Sequence, residues 1–285
     1  MRADRQRGAL ALSVAALGTL GSLLDGWSCA PERASRSAAL EVARILARTQ
    51  PAMGPFLRWS ADWRRFAGVE PAPARIRDAR AWLHRESHRL RNETTRLART
   101  ARQRFPERAH RVVTLSRSDS VLRALTSVPR ARRPLWISVL ESRPGGEGRR
   151  FVRDLRAAGL DARVVPDRAG PEIVQSADLL LIGADTVLPD GAVVHKVGTR
   201  PLALAASRAR VPLVVVAGTS KFTEDPRRRP RLSPLFDLTP GRLVTEYWTD
   251  TGSRRGRGGW PSRRRRLRSL RARVPVRRGS GSRAR

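Results

Sequence analysis

The sequence is poor in cysteine, lysine and acidic residues. Cys29 is the single cysteine, which excludes an intramolecular disulfide framework and is typical of a protein from a reducing cytoplasm. Lys196 and Lys221 are the only lysines, although Lys and Arg together number 58 against 25 Asp and Glu, for a net charge of +33. Such a charge favours nucleic acid as a partner. It also follows from the GC-rich codons of arginine alone, and both explanations stay open.

Long hydrophobic runs are also missing. The apolar stretch over residues 9–24 is too short for a comfortable membrane span, and no small-residue cleavage site follows it. Its apolar residues recur at helical spacing: Leu10, Val14, Leu17, Leu20 and Leu24. This spacing predicts one buried face of a core helix that ends near Gly26, and no membrane partner.

Motifs for metals and cofactors are absent as well. His84 and His88 lie four residues apart, but no third ligand accompanies them. The glycines at 145, 146 and 148 do not have the spacing of a dinucleotide-binding fingerprint, and residues 218–221 lack the leading glycine of a phosphate loop. We therefore expect neither a metal site nor a cofactor.

Hydrophobic periodicity divides the chain into a helical half and an alternating half. Residues 34–105 have helical spacing of apolar residues, including a long helix over residues 74–104. Short apolar runs alternate with helical patterns after that point, and strands are predicted at residues 111–115, 135–140, 162–165, 179–182, 213–216 and 243–245. This pattern predicts an α/β protein, with an all-helical domain over residues 1–110 and a mainly parallel sheet within residues 111–252.

The last segment has a different composition. Residues 253–285 contain 14 arginines and no acidic residue, with almost no periodic apolar face. This composition predicts a disordered arginine-rich tail that makes non-specific contact with nucleic acid. Out-of-frame translation of GC-rich DNA would give a similar composition, so that origin stays open too.

A set of short motifs occurs in one order along the second half. They are Glu141-Ser142-Arg143-Pro144, Gly148-Arg149, Gly183-Ala184-Asp185, Asp190-Gly191, Lys196-Val197-Gly198-Thr199, Lys221-Phe222, Phe236-Asp237 and Thr245-Glu246. In order and spacing they resemble the translation initiation factor 2B alpha/beta/delta family, which includes regulatory subunits of the eukaryotic nucleotide exchange factor and two sugar-phosphate isomerases. The isomerases act on methylthioribose 1-phosphate and ribose 1,5-bisphosphate. The resemblance implies a helical domain, a Rossmann-like ligand-binding domain and a homodimer.

The resemblance also implies site residues. The isomerases of the family use a cysteine after the first strand and the aspartate of the Gly-Ala-Asp motif, and these positions are Ser116 and Asp185 here. The positions of a family asparagine and a family glutamine are His195 and Glu147. Three of these four positions therefore depart from the isomerase pattern.

Basic residues near the predicted strand ends complete the expected site. Arg143 and Lys196 are candidates for binding phosphate, Arg143 by bidentate pairing. Arg117 begins a loop before a helix, where free N–H groups attract anions. Because the carboxyl ends of parallel strands share one edge of the sheet, the site residues should converge on one pocket. The residues expected there are Ser116, Arg143, Asp185, His195 and Lys196.

Two functions stay open at this point. One is a non-catalytic or regulatory protein that binds a sugar or nucleotide phosphate. Ser116 favours it, because a hydroxyl is a far weaker acid than a thiol and needs an activating base. The other is an aldose–ketose isomerase acting on a phosphorylated ribose, with Asp185 as an acid/base group.

Overall fold

The computed structural model describes residues 9–27, 31–129, 134–223, 230 and 232–256. Its helices are α1 (Ala9–Gly26), α2 (Glu32–Thr49), α3 (Gly54–Phe66), α4 (Ala72–Arg104), α5 (Asp119–Thr126), α6 (Glu147–Ala157), α7 (Gly170–Gln175) and α8 (Thr199–Ala209). Its strands are β1 (Arg111–Leu115), β2 (Trp136–Leu140), β3 (Asp161–Val165), β4 (Leu179–Ile182), β5 (Thr186–Val187), β6 (Val193–Lys196), β7 (Leu213–Val216), β8 (Phe236–Thr239), β9 (Glu246–Thr249) and β10 (Gly252–Arg255). Within the described residues, 3₁₀ turns lie at Asp167–Ala169, Thr219–Lys221 and Gly241–Leu243.

Tryptophans form the centre of the helical domain. Trp59 and Trp63, one turn apart on α3, are both fully buried and lie edge-on to Trp82 of α4, with ring centroids 6.0 Å apart in each pair. Two buried carboxylates accept indole hydrogen bonds, from Trp82 to Asp62 and from Trp59 to Glu86, each at 3.0 Å. The large aromatic rings are therefore buried while both of these N–H groups keep a hydrogen-bond acceptor.

The first helix packs on this centre through leucines. Leu17, Leu20 and Leu24 are buried, as predicted, but Val14 is 53% exposed, so its predicted burial is wrong. At 3.6 residues per turn, Val14 lies at the edge of the helix face that the three leucines form, where it stays exposed. Within the described residues, no helix is both long and apolar enough to cross a membrane.

The main sheet has the strand order β10-β9-β7-β4-β1-β2-β3. All its neighbouring strands are parallel except β10 and β9. Adjacent residues of β1 enter opposite apolar layers, Val112 on one face and Val113 on the other, as expected for a sheet covered on both sides. The predicted α/β fold, with helices first and a mainly parallel sheet second, is confirmed.

A second, smaller sheet was not predicted. It has the order β5-β6-β8, with antiparallel pairing throughout. Strand β6 consists of two valines followed by His195 and Lys196, and two apolar residues are too few for a strand prediction. This strand places two of the expected site residues beside the main sheet.

The end of the domain differs from prediction in two places. The last parallel strand is Glu246–Thr249 rather than residues 243–245, because a 3₁₀ turn occupies Gly241–Leu243. The predicted start of disorder at Ser253 is also wrong, because Gly252–Arg255 forms strand β10 against β9. The Gly256 N–H then donates to the Thr245 carbonyl at 2.8 Å. The rest of the predicted tail, and Cys29, lie outside the described residues.

Candidate functional site

The carboxyl ends of β1, β2 and β4 meet at one edge of the main sheet. Ser116 follows β1 directly, and Ser142 lies two residues after β2. Both residues have a positive φ, 60° and 65°, and the Ser116 N–H donates to Ser142 Oγ at 2.6 Å. This bond joins the two loops, so the ends of neighbouring strands form one continuous rim.

A buried ion pair lies at this rim. Lys196, the last residue of β6, donates from Nζ to Glu147 Oε1 at 2.5 Å, and both side chains are mostly buried. Glu147 is the first residue of α6 and follows Gly146, whose φ of +64° would strain another residue. The other oxygen of Glu147, Oε2, is buried without a hydrogen-bond partner in the described structure.

A second lysine also lies at the site, although it was not predicted to belong to it. Lys221 follows β7 in the Thr219–Lys221 turn, is buried, and donates from Nζ to the Ala184 carbonyl at 2.6 Å. The sequence contained a signal for it: in a chain that uses arginine almost everywhere, both lysines are in this site. At these two positions the chain thus has the compact ammonium group of lysine instead of the larger, planar guanidinium group of arginine.

The charges of both lysines act on the carboxyl group of Asp185. Burial raises the pKa of its carboxyl from 3.8 to about 6, while Lys221 and Lys196 oppose the increase and Glu147 adds to it. The backbone of Asp185 is held on both sides: its N–H donates to Val194 at 2.9 Å, and its carbonyl accepts from Gly54 at 3.0 Å. A carboxyl with a pKa near 6 can take up or release a proton near neutral pH.

His195 is buried in the same region and is uncharged. Burial, together with the positive charges of Lys221 and Lys196, lowers the pKa of its ring to about 3. Its Nδ1 lies 3.2 Å from Thr199 Oγ1 at the start of α8. The structure thus brings Asp185, His195, Lys196 and Glu147 into one region, and their role in ligand binding stays a prediction.

The two expected arginines do not point into this cluster. The side chain of Arg143 is 68% exposed and pairs with Glu141 at 3.2 Å. Arg117 donates to Asp154 of α6 at 2.7 Å and also pairs with Asp119 at 3.2 Å. Both guanidinium groups therefore already have carboxylate partners, and their role in phosphate binding stays a prediction.

The helical domain reaches the site through α4. Glu93 of α4 is buried and accepts two hydrogen bonds from Ser220, from its N–H at 3.1 Å and from its hydroxyl at 2.9 Å. Burial raises the pKa of Glu93, and the Ser220 hydrogen bonds oppose this increase. Glu93 was not expected at the site, because acidic residues scattered along an arginine-rich helix have the pattern of a solvated face.

Known proteins share this fold and parts of this sequence. The crystal structure of a Pyrococcus horikoshii translation initiation factor eIF-2B superimposes with a TM-score of 0.71 at 22% identity, over 88% of this chain and 93% of that chain. Ribose 1,5-bisphosphate isomerase of Archaeoglobus fulgidus is 35% identical over 112 residues, which is 39% of this chain and 36% of that protein. Methylthioribose-1-phosphate isomerase of Gemmatimonas aurantiaca is 33% identical over 143 residues, 42% of each protein.

The matched segments span less than half the length of these two isomerases. The structural match at 22% identity supports the fold alone. The family model covers much more of the chain than either isomerase does. It is the model of the Initiation factor 2 subunit family, it matches residues 5–231, and the chain therefore belongs to that family.

Proposed function

We propose that this protein binds a sugar or nucleotide phosphate at the Lys196–Lys221 site and acts as a non-catalytic, regulatory protein of the translation initiation factor 2B type. The observation that carries the proposal is the state of the two buried lysines. Lys196 uses one N–H for Glu147, and Lys221 uses one for Ala184. Each ammonium group has three N–H donors, so with respect to the described residues two remain on each lysine for the oxygens of a phosphate.

The proposed protein is non-catalytic because of Ser116. Ser116 lies where the family resemblance implies a cysteine. Its hydroxyl makes no hydrogen bond to a base within the described residues, whereas its N–H is bound to Ser142. An unassisted hydroxyl is a poor proton donor and a poor nucleophile at neutral pH. A binding role needs neither property.

A specific observation favours a second candidate, an isomerase of a phosphorylated ribose. The pKa of Asp185 is raised to about 6. That value suits the transfer of hydrogen between adjacent sugar carbons, which needs a group that both accepts and donates a proton. Two similar proteins are named as isomerases of this class.

One experiment separates the two candidates. The melting temperature would be measured with ribose 5-phosphate, ribose 1,5-bisphosphate, methylthioribose 1-phosphate, AMP and GMP, because a ligand of the folded state raises it. Samples with the binding compounds would then be followed by NMR for ketose formation. Binding without conversion supports the regulatory protein, conversion supports the isomerase, and absence of binding to all five compounds contradicts both.

The proposal includes two further parts. A homodimer in the cytoplasm is proposed because the family resemblance implies dimers and the single cysteine suits a reducing compartment. Light scattering of the purified protein would give its mass in solution, and a monomer at micromolar concentration would contradict the dimer.

A further inference from the structure

A cleft of about 670 Å³ lies between the helical domain and the α/β domain. Residues of α3 and α4 line it together with residues of β5, β9, β10 and the loops beside them. Its volume is in the range of sites that hold small molecules. The charged and titratable residues of the site described above do not line this cleft; they are Glu147, Asp185, His195, Lys196 and Lys221.

The cleft has an excess of positive charge. The described residues that line it include no acidic residue and four arginines, which are Arg58, Arg89, Arg254 and Arg255. Glu86 pairs with Arg58 at 2.7 Å and with Arg89 at 3.5 Å. The two arginines of β10 have no carboxylate partner within the described part of the chain. One carboxylate therefore accompanies four positive charges, and this excess favours an anion that carries several negative charges.

Three of the guanidinium groups are held in position. Arg58 and Arg89 each donate to the Thr219–Lys221 turn, at 3.0 Å and 3.1 Å. The guanidinium group of Arg254 lies over the ring of Phe222, 5.8 Å from the ring centroid. A guanidinium group has five N–H donors, so with respect to the described residues each of these arginines keeps N–H groups for phosphate oxygens. Because the groups are already positioned, little side-chain entropy is lost when an anion binds.

Apolar surface lies beside the arginines. Leu57 and Phe222 are partly buried and Pro189 is exposed, so all three present apolar atoms to the cleft. The ring of Phe222 packs edge-on against Tyr247 with the centroids 6.1 Å apart, which fixes its orientation. An aromatic base that packs on this surface is removed from water together with it. The cleft thus combines a surface for phosphates with a surface for a base.

We propose that this cleft binds a nucleoside triphosphate, at a site separate from the Lys196–Lys221 site of the proposed function. The phosphates bind to the guanidinium groups, and the base packs against Leu57, Pro189 and Phe222. A nucleoside monophosphate carries only about two negative charges, fewer than the excess positive charge of the cleft, and an inorganic polyphosphate has no base.

Titration calorimetry of the full chain with ATP, AMP and inorganic tripolyphosphate tests the ligand. The wild type should bind ATP at least about tenfold more tightly than either other compound, because AMP lacks two phosphates and tripolyphosphate lacks the base. AMP or tripolyphosphate binding as tightly as ATP would overturn the proposed ligand, and so would an absence of ATP binding.

Variants of two separate elements test the position of the ligand. The double variant Arg254→Gln with Arg255→Gln removes two exposed charges of β10 and should weaken ATP binding at least about tenfold. Arg89→Gln on α4 should weaken it as well. The matched control is Arg153→Gln with Arg208→Gln, two exposed positions on α6 and α8, which should change the affinity by less than about twofold.

Lys196→Met separates the cleft from the site of the proposed function, and ATP binding should persist in this variant. If Lys196→Met abolishes ATP binding and the β10 double variant does not, ATP binds at the Lys196–Lys221 site. The proposed function then stands and the cleft is wrong as its location. An ATP affinity that is unchanged in the β10 double variant, or that falls equally in the control, would also overturn the cleft.

Discussion

Glu93 in the helical domain and Ser220 in the α/β domain share two hydrogen bonds, at 3.1 Å and 2.9 Å. Ser220 precedes Lys221, whose ammonium group contacts the carbonyl of Ala184, one residue before Asp185. Helix α4 therefore determines where one of the two site lysines lies. Binding at the site and packing of the two domains should depend on the same carboxylate.

Glu93→Ala should destabilise the protein and weaken binding of a phosphate ligand. The change leaves the N–H and the hydroxyl of Ser220 buried without an acceptor, which lowers the free energy of unfolding by about 1–3 kcal/mol. Glu93→Gln keeps one acceptor oxygen and should cost less. Urea unfolding measures both variants against Glu41→Ala, which removes a carboxylate that is 58% exposed, and equal stability of Glu93→Ala and that control would contradict the prediction.

Asp185→Asn should make the folded protein more stable at pH 8 and leave it nearly unchanged at pH 4. The raised pKa of Asp185 means that the folded state holds the proton more tightly than the unfolded chain. The resulting stabilisation is present below pH 3.8 and is lost as the pH rises through about 6. The difference at pH 8 is at most about 3 kcal/mol.

Urea unfolding of the wild type and Asp185→Asn at pH 4, 6 and 8 measures this difference. A difference that is the same at all three pH values would mean that the carboxyl does not titrate in this range. Binding of a phosphate ligand should persist in the variant, because both lysines remain.

Lys196→Met should reduce stability and abolish binding of a phosphate ligand. Glu147 would stay largely buried without its cation, which costs about 3 kcal/mol of unfolding free energy. The double variant Lys196→Met with Glu147→Gln removes both charges and should recover most of the stability but none of the binding. Calorimetry and urea unfolding separate the two effects.

The matched control for Lys196→Met is Arg208→Gln, which removes a positive charge from an exposed position on α8. It should change neither stability nor binding by a measurable amount. If it weakens binding as much as Lys196→Met does, the net charge of the protein rather than the site would be responsible.

Two truncations should differ in their effect on stability. Deletion of residues 253–285 removes most of β10 and the hydrogen bond from Gly256 to Thr245, so Tm should fall by about 4 °C or more. Deletion of residues 257–285 keeps β10, and Tm should stay within about 1 °C of that of the full chain. Equal melting temperatures of the two truncated proteins would contradict a structural role for β10.

The same truncations test the predicted nucleic-acid contact. Deletion of residues 253–285 removes all 14 arginines after residue 252, and deletion of residues 257–285 removes 12 of them. Affinity for RNA or DNA should therefore fall in both proteins, and its dependence on salt should become weaker. Filter binding at two salt concentrations measures both quantities. Unchanged affinity would place the contact elsewhere or exclude it, and sequencing the 3′ end of the gene tests the out-of-frame origin of the tail.

The elements with long periodic patterns were predictable from sequence. The apolar run of β4 and the helical spacing of α4 are local patterns. Each pattern reflects which residues of the element are buried against the neighbouring layers. The positions of Asp185 and Lys196 in one site followed from the family resemblance and from the shared edge of parallel strands.

Sequence by itself determined the order along the chain of helices α1 to α6 and α8 and of strands β1, β2, β3, β4 and β7, because burial repeats with the period of each element. Tertiary structure alone decided which polar groups meet. Glu93 and Lys221 are 128 residues apart, yet both hold the Thr219–Lys221 turn against the site. His195 Nδ1 likewise lies 3.2 Å from the Thr199 hydroxyl, which donates to the carbonyl of Lys196. Such contacts depend on distances between separate elements, and no local pattern of residues encodes those distances.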